Sequence, residues 1–187
     1  LLVANDRSAR RRLAGIVAGV MVGVALFLML LAAAQAFPER SMRSSWASTA
    51  LMPGLSEQSN HADLQPDHAL TDGELAVASN FDVVDNQPIT ILRVALPESG
   101  TTSVRIPGAD VVPKRGEYLA SPALAKRIAS LPADQLGDRY GKQVGVLSPD
   151  AVEGPDSLVA VVGTDLGTVA ASEFYIPPQV VTSFQGI

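Results

Sequence analysis

From Leu13 to Ala34 the chain reads LAGIVAGVMVGVALFLMLLAAA, 22 residues without a charge. Wound as a helix, such a run spans about 33 Å at 1.5 Å per residue, which matches the hydrocarbon core of a bilayer. A soluble helix of this length keeps a polar face, and this one has none, so the pattern predicts a membrane-inserting segment over residues 13–36. Polar positions return between Phe37 and Ala50, where Pro38 is the only breaker, and the helix is expected to continue outward as a stalk. Trp46 then stands either at the membrane interface or against the domain that follows. Residues 51–73 are polar and interrupted by Pro53-Gly54, Pro66 and Asp72-Gly73, which reads as a loop, so 37–73 is taken as stalk and linker.

Further along, the hydrophobic period shortens. Leu75–Ala78, Phe81–Val84 and Ile89–Ala95 are short strand-like runs, the last partly alternating. Ser121 followed by Pro122 is a helix start, a capping hydroxyl and then a residue suited to the first helical position. The helix is expected to reach about Ser130, with Leu124, Ile128 and Leu131 facing a sheet and Lys126 and Arg127 in solvent. A second short helix is expected over Ala133 to Tyr140. Strands are expected at Gln143–Leu147 and Leu158–Gly163, the second apolar enough for a central position. The tail from 164 to 187 shows no clear pattern. Strands mixed with short helices make residues 74–187 a small α+β domain.

Charge adds a direction. The whole chain carries −5, but Arg7, Arg10, Arg11 and Arg12 against Asp6 give residues 1–36 a net of +3, and 10 basic against 18 acidic residues leave −8 on the remainder. Basic residues ahead of the apolar run put residues 1–12 in the cytoplasm and the main domain outside it, under the positive-inside bias. The acidic bulk, with aromatics at 5%, argues against nucleic acid as a partner. Ala34-Gln35-Ala36 is a small-x-small site that a signal peptidase accepts, but the uncharged run exceeds the usual h-region of about 7–15 residues, which favours an anchor. Gly15, Gly19 and Gly23 recur every fourth residue and form a small-xxx-small face for a neighbouring membrane helix. With Leu1 in place of an initiator Met, the chain is read as a fragment of a longer protein.

Candidate chemistry is sparse. The chain has no cysteine, which removes disulfides, thiolate metal sites and cysteine nucleophiles. His61 and His68, with Asp63 and Asp67 nearby, have no spacing that converges them on a metal. Asp134, Asp138, Asp150, Glu153 and Asp156 read as turn and cap residues rather than paired catalytic carboxylates. No nucleotide-binding loop, nucleophile elbow or zinc-protease motif occurs. The sequence therefore points away from an enzyme and calls for no cofactor.

The succession RRRLAGIVAGVMVGVALFLMLL, ERSMRSSW, GEYLASPALAKRI, PADQLGDRYGKQVGVLSPD and SLVAVVG resembles the permease subunits of the FtsX-like/MacB-like ABC transporter family, with Gly116-Glu117-Tyr118 and Ser121-Pro122-Ala123-Leu124 as its most specific phrase. The resemblance implies a first transmembrane helix followed by a MacB-like periplasmic core domain. It further implies a separate ATPase subunit, and further permease helices or a second permease copy, as partners in the membrane. The alternative is a single-pass anchored or secreted extracytoplasmic binding domain with no role in transport.

Overall fold

The computed structural model describes residues 7–49, 61–65, 67–172 and 177–184, with side chains of the first helix described at 12–32 and Trp46. In chain order the elements are helix α1 (Arg7–Thr49), strands β1 (His61–Asp63), β2 (Leu75–Val84), β3 (Gln87–Ala95) and β4 (Glu117–Ala120), helix α2 (Pro122–Ser130), strands β5 (Lys142–Val146) and β6 (Val159–Thr164), helix α3 (Leu166–Ala170) and strand β7 (Gln179–Val181). Two 3-10 turns, Gly137–Arg139 and Pro149–Ala151, punctuate the second half. The chain divides into two units, Leu1–Arg40 and Ser41–Ile187. It is a mixed α+β protein with an apolar N-terminal helix.

The strands form one mixed sheet in the order β1-β7-β2-β3-β6-β4-β5. Strand β6 runs parallel to β3 and antiparallel to β4, so the apolar Val159–Thr164 segment lies inside the sheet. Alternation divides its side chains between two cores. On one face Ile89, Ile91, Tyr118 and Ala160 pack with Leu124 of α2, and Ala76, Ala78 and Ala95 pack with Val169 of α3. On the other face Leu75, Val77, Leu92, Val94 and Val161 meet Val104, Ile106, Leu147, Val152, Phe184 and Trp46.

Helix α2 starts where the sequence places it. Ser121 Oγ accepts from the Leu124 amide at 3.2 Å, but it also accepts from the Val159 amide at 3.1 Å and donates to the Ser157 carbonyl at 2.6 Å. One buried hydroxyl thus caps the helix and ties it to the start of β6. Leu124 is fully buried, while Ile128 and Leu131 pack at the edge of the same cluster.

Several expectations are corrected. Leu75–Ala78 and Phe81–Val84 are one strand: Ser79 and Asn80 break the apolar pattern, yet the ladder to β3 continues through them, Ser79 opposite Leu92 and Asn80 opposite Ile91. A two-residue turn closes this hairpin at Asp85-Asn86, with φ of 47° and 61°, the left-handed conformation that matches strand twist and that short polar side chains tolerate. Ala133–Tyr140 is not a helix but a series of turns ending in the 3-10 turn, because Pro132, Gly137 and Gly141 leave too little uninterrupted chain to propagate one. The region read as a loop contributes β1, and the unpatterned tail contributes α3 and β7, which pairs with β1 on one side and β2 on the other. Arg127 is not merely solvated: it forms an ion pair with Asp85 at the hairpin tip.

Candidate functional site

From Arg12 to Ala32 every side chain of α1 is exposed, and this 21-residue stretch is long and apolar enough to cross a membrane. A signal sequence meets the same description. Water does not tolerate a continuous apolar surface of this size without a cover. Gly15, Gly19 and Gly23 lie in this stretch, and a Cβ added to any of them would meet nothing within 4 Å. Their spacing puts them on one face, and no described part of the chain packs against it. Arg12 is exposed at the start of the stretch. Arg7, Arg10 and Arg11 are helical, but their side chains lie outside the described residues.

The last turns of α1 behave differently. Trp46 is 1% exposed, so it is a core residue and not an aromatic held at a membrane interface. Its indole N–H donates to the Ala151 carbonyl at 2.7 Å, and its ring meets Phe184 edge-on at a centroid distance of 5.8 Å. The acceptor is held by a local device. Ser148 caps the Pro149–Ala151 turn, and the Ser148 amide donates to Gly108 O at 2.7 Å. Gly108 has φ +68°, and a Cβ there would lie 2.4 Å from that of Ala151, so glycine is required for the two loops to meet. Two segments remote in sequence, Ser148–Ala151 and Phe184, thus meet the tryptophan, and a third at Gly108 holds the first in place.

On the opposite face Asp82, near the end of β2, accepts from Tyr140 Oη at 2.8 Å, and Arg139 Nη1 donates to its two carboxylate oxygens at 3.0 and 3.1 Å. Burial acts to raise the Asp82 carboxyl, but the Tyr140 hydroxyl, the Val83 amide and Arg139 together outweigh it and hold it below the ordinary value. Burial, followed by the Asp82 contact, pushes the Tyr140 hydroxyl well up, and Tyr118, ring to ring with it at 5.7 Å, is raised by burial as well. The cluster fixes the 3-10 turn to the hairpin. It holds no nucleophile with an adjacent base, and its phenols stay protonated at any physiological pH.

Near β2, Glu74 accepts from the Thr71 amide at 2.8 Å and Thr71 hydroxyl at 3.0 Å and stands 3.2 Å from His68 Nε2. The Thr71 amide leads in holding this carboxyl below its usual range. Asp134, Asp138, Asp150, Glu153 and Asp156 are all exposed. Among the described residues no three histidines or carboxylates come together as a metal site. The lasting features are therefore the uncovered helix and the buried tryptophan at its far end. The glycine spacing and the apolar run were visible in the sequence, whereas the burial of Trp46 had no local signal, since Ala151 and Phe184, which meet it, lie more than 100 residues away.

Compared with protein-family models, with curated proteins and with solved structures, the chain matches none.

Proposed function

We propose that the chain is the N-terminal part of a membrane permease subunit of an ABC-type transporter, with its mixed α+β unit outside the cytoplasm and its first helix in the bilayer. The observation that carries the reading is the continuity of α1. The helix passes from the exposed apolar stretch through Ala34-Gln35-Ala36 and ends at Thr49, three residues after the buried Trp46. Proteolytic sites concentrate in exposed irregular backbone, and the small-x-small site here is helical, which supports an anchor over a cleaved signal. A helix anchored in a domain core by a tryptophan is suited to transmit displacement, whereas a flexible tether is not. The order of parts resembles the FtsX-like/MacB-like permeases, and the chain has no phosphate-binding loop of its own, so ATP hydrolysis falls to a separate ATPase subunit. Further permease helices or a second permease copy would cover the face of Gly15, Gly19 and Gly23. Nucleic acid is not among the partners.

Two experiments bear on this. A reporter active only outside the cytoplasm, fused after Ser121, should be functional, and a cytoplasm-active one silent. The reverse result overturns the topology. The complex extracted from its native membrane in mild detergent should contain a nucleotide-hydrolysing chain, and Gly19→Ile should release partner chains while the variant still inserts. Extraction of the protein alone under conditions that preserve other transporter complexes would favour a single-pass binding domain instead.

A further inference from the structure

Strands β3 and β6 are neighbours and parallel, ending together at Ala95 and Thr164. The chain leaves them toward opposite faces. After β3 it passes to the side of Leu92 and Val94, where Val104 and Ile106 join the core. After β6 it turns into α3, which covers Ala76, Ala78 and Ala95 on the other side. Adjacent parallel strands whose connections diverge leave a crevice at their carboxyl ends, and that is where open sheets containing parallel strands bind small ligands.

The crevice is present, with a volume of about 710 Å³, inside the usual range for small-molecule sites. Leu70, Leu96 and Leu166, each half-buried, give it an apolar lining. Its charges are sorted by the strand order. Asp72 before β2 and Glu98 after β3 stand at one end, and Lys114 and Arg115 before β4 stand at the other. Asp165 also lines the crevice and is occupied, receiving the Thr168 amide at 2.8 Å and the Thr168 hydroxyl at 2.9 Å and pairing with Arg115 at 3.6 Å, which leaves the cationic end to Lys114.

Both ends are fixed. Ser99 Oγ donates to Asp72 at 2.6 Å and the Ser103 amide to the Asp72 carbonyl at 2.7 Å, which pins the loop bearing Glu98. At the cationic end the Gly116 amide donates to the Gly163 carbonyl at 3.1 Å. A Cβ on Gly163 would lie 2.1 Å from the Lys114 carbonyl, so the loop bearing Lys114 and Arg115 crosses directly over β6 only because residue 163 has no side chain.

We propose that this crevice binds a small zwitterion of the amino-acid or short-peptide class, its ammonium toward Glu98 and Asp72, its carboxylate toward Lys114, and an apolar side chain on the leucines. A simple anion would use one end and meet repulsion at the other, and an uncharged apolar ligand would leave both ends unused. The inference does not rest on the permease reading, because it concerns the acidic-to-basic order across the strand ends alone.

The test is a calorimetric titration of the full chain in detergent with the dipeptide leucylleucine, its N-acetyl form and its amide. Leucylleucine should bind saturably, and removing either of its charges should weaken binding about tenfold or more. Lys114→Gln should weaken the dipeptide by about tenfold while leaving the amide unchanged, and Glu98→Gln should do the same with respect to the N-acetyl form. Lys114 and Glu98 are exposed, and unaltered circular dichroism would show that both variants fold. No saturable binding of leucylleucine, equal binding of the N-acetyl form, or indifference to both substitutions would each overturn the proposal. None of these results bears on whether an ATPase accompanies the chain.

Discussion

Ser121 shows how far a single residue can be read before its surroundings are known. The Ser-Pro pair announces a capped helix start, and the cap is there, but a hydroxyl bonded also to the Val159 amide and the Ser157 carbonyl answers to residues 36 and 38 positions away. An ordinary cap is worth about 1 kcal/mol. Ser121→Ala leaves further buried backbone groups unpaired as well, so the expected loss is about 2–3 kcal/mol, read from the urea midpoint of unfolding. A loss near 1 kcal/mol would mean that the two bonds toward β6 contribute nothing. Asp82 carries a second residue-level expectation. Its carboxyl is held below the usual value in the folded chain, so the stabilisation it gives is present above about pH 4 and is lost as the pH falls through the folded value. Asp82→Asn should be less stable than the parent at pH 7, by about 1 kcal/mol, and the two should converge as the pH falls below the folded value. Other depressed carboxyls, Glu74 and Asp165, move parent and variant alike, so the difference between the curves isolates Asp82. A gap that keeps its size as the pH falls would dismiss its ionisation as the cause.

Elements were legible in proportion to how local their causes are. Helix α2 has its cap, its proline and its apolar spacing within 11 residues, and all three appear in the structure. Strand β7 has nothing comparable: Gln179 sits inside a three-residue segment behind Pro177-Pro178, and its place between β1 and β2 comes only from pairing with chain more than 90 residues away. Strand β1 reads His-Ala-Asp, a sequence with no hydrophobic period at all. Spacing also ranks the helix contacts incompletely. Leu124 and Ile128 stand four apart on the same face, yet Leu124 is sealed against Ala160 and Tyr118, whereas Ile128 lies at the rim beside Gly137. A carboxylate at 124 has no water and no partner, so Leu124→Asp should unfold a domain whose whole stability is about 5–15 kcal/mol. At 128 the carboxylate can turn outward, and Ile128→Asp should lower the melting temperature while leaving a cooperative transition. Two variants that unfold alike would place Ile128 deeper than its exposure indicates. The candidate crevice was hidden for the same reason as β7, since Asp72, Glu98 and Lys114 are brought to one rim by strand order and no spacing in the chain encodes it.

For the whole molecule, the division at Arg40 separates a unit with no buried side chain among its described residues from one that has several core clusters. The exposed stretch of α1 contributes nothing to the sheet's packing, whereas Trp46, in the same helix, belongs to the core that holds Val77, Val94 and Phe184. The exposed apolar stretch and the folded unit therefore divide at a position within one helix, near Ser41. Two truncations test this division. A chain starting at Ser41 keeps the tryptophan, its bond to Ala151 and its contact with Phe184, and loses the exposed apolar stretch. It should be soluble without detergent and should unfold at nearly the same urea concentration as the full chain. A chain starting at Ala50 is only 9 residues shorter but lacks the indole, which leaves a cavity and an unpaired carbonyl in the core. Removal of a buried aromatic of this size costs about 3–5 kcal/mol, a large part of a typical domain's stability, and exposes apolar side chains to solvent. The shorter chain should thus melt far below the longer one and bind a hydrophobic dye, and Trp46→Ala in the longer chain should reproduce that loss. Equal stability of the two truncations would show that the tryptophan is not a working part of the core, and the continuity of α1 would then carry no mechanical consequence.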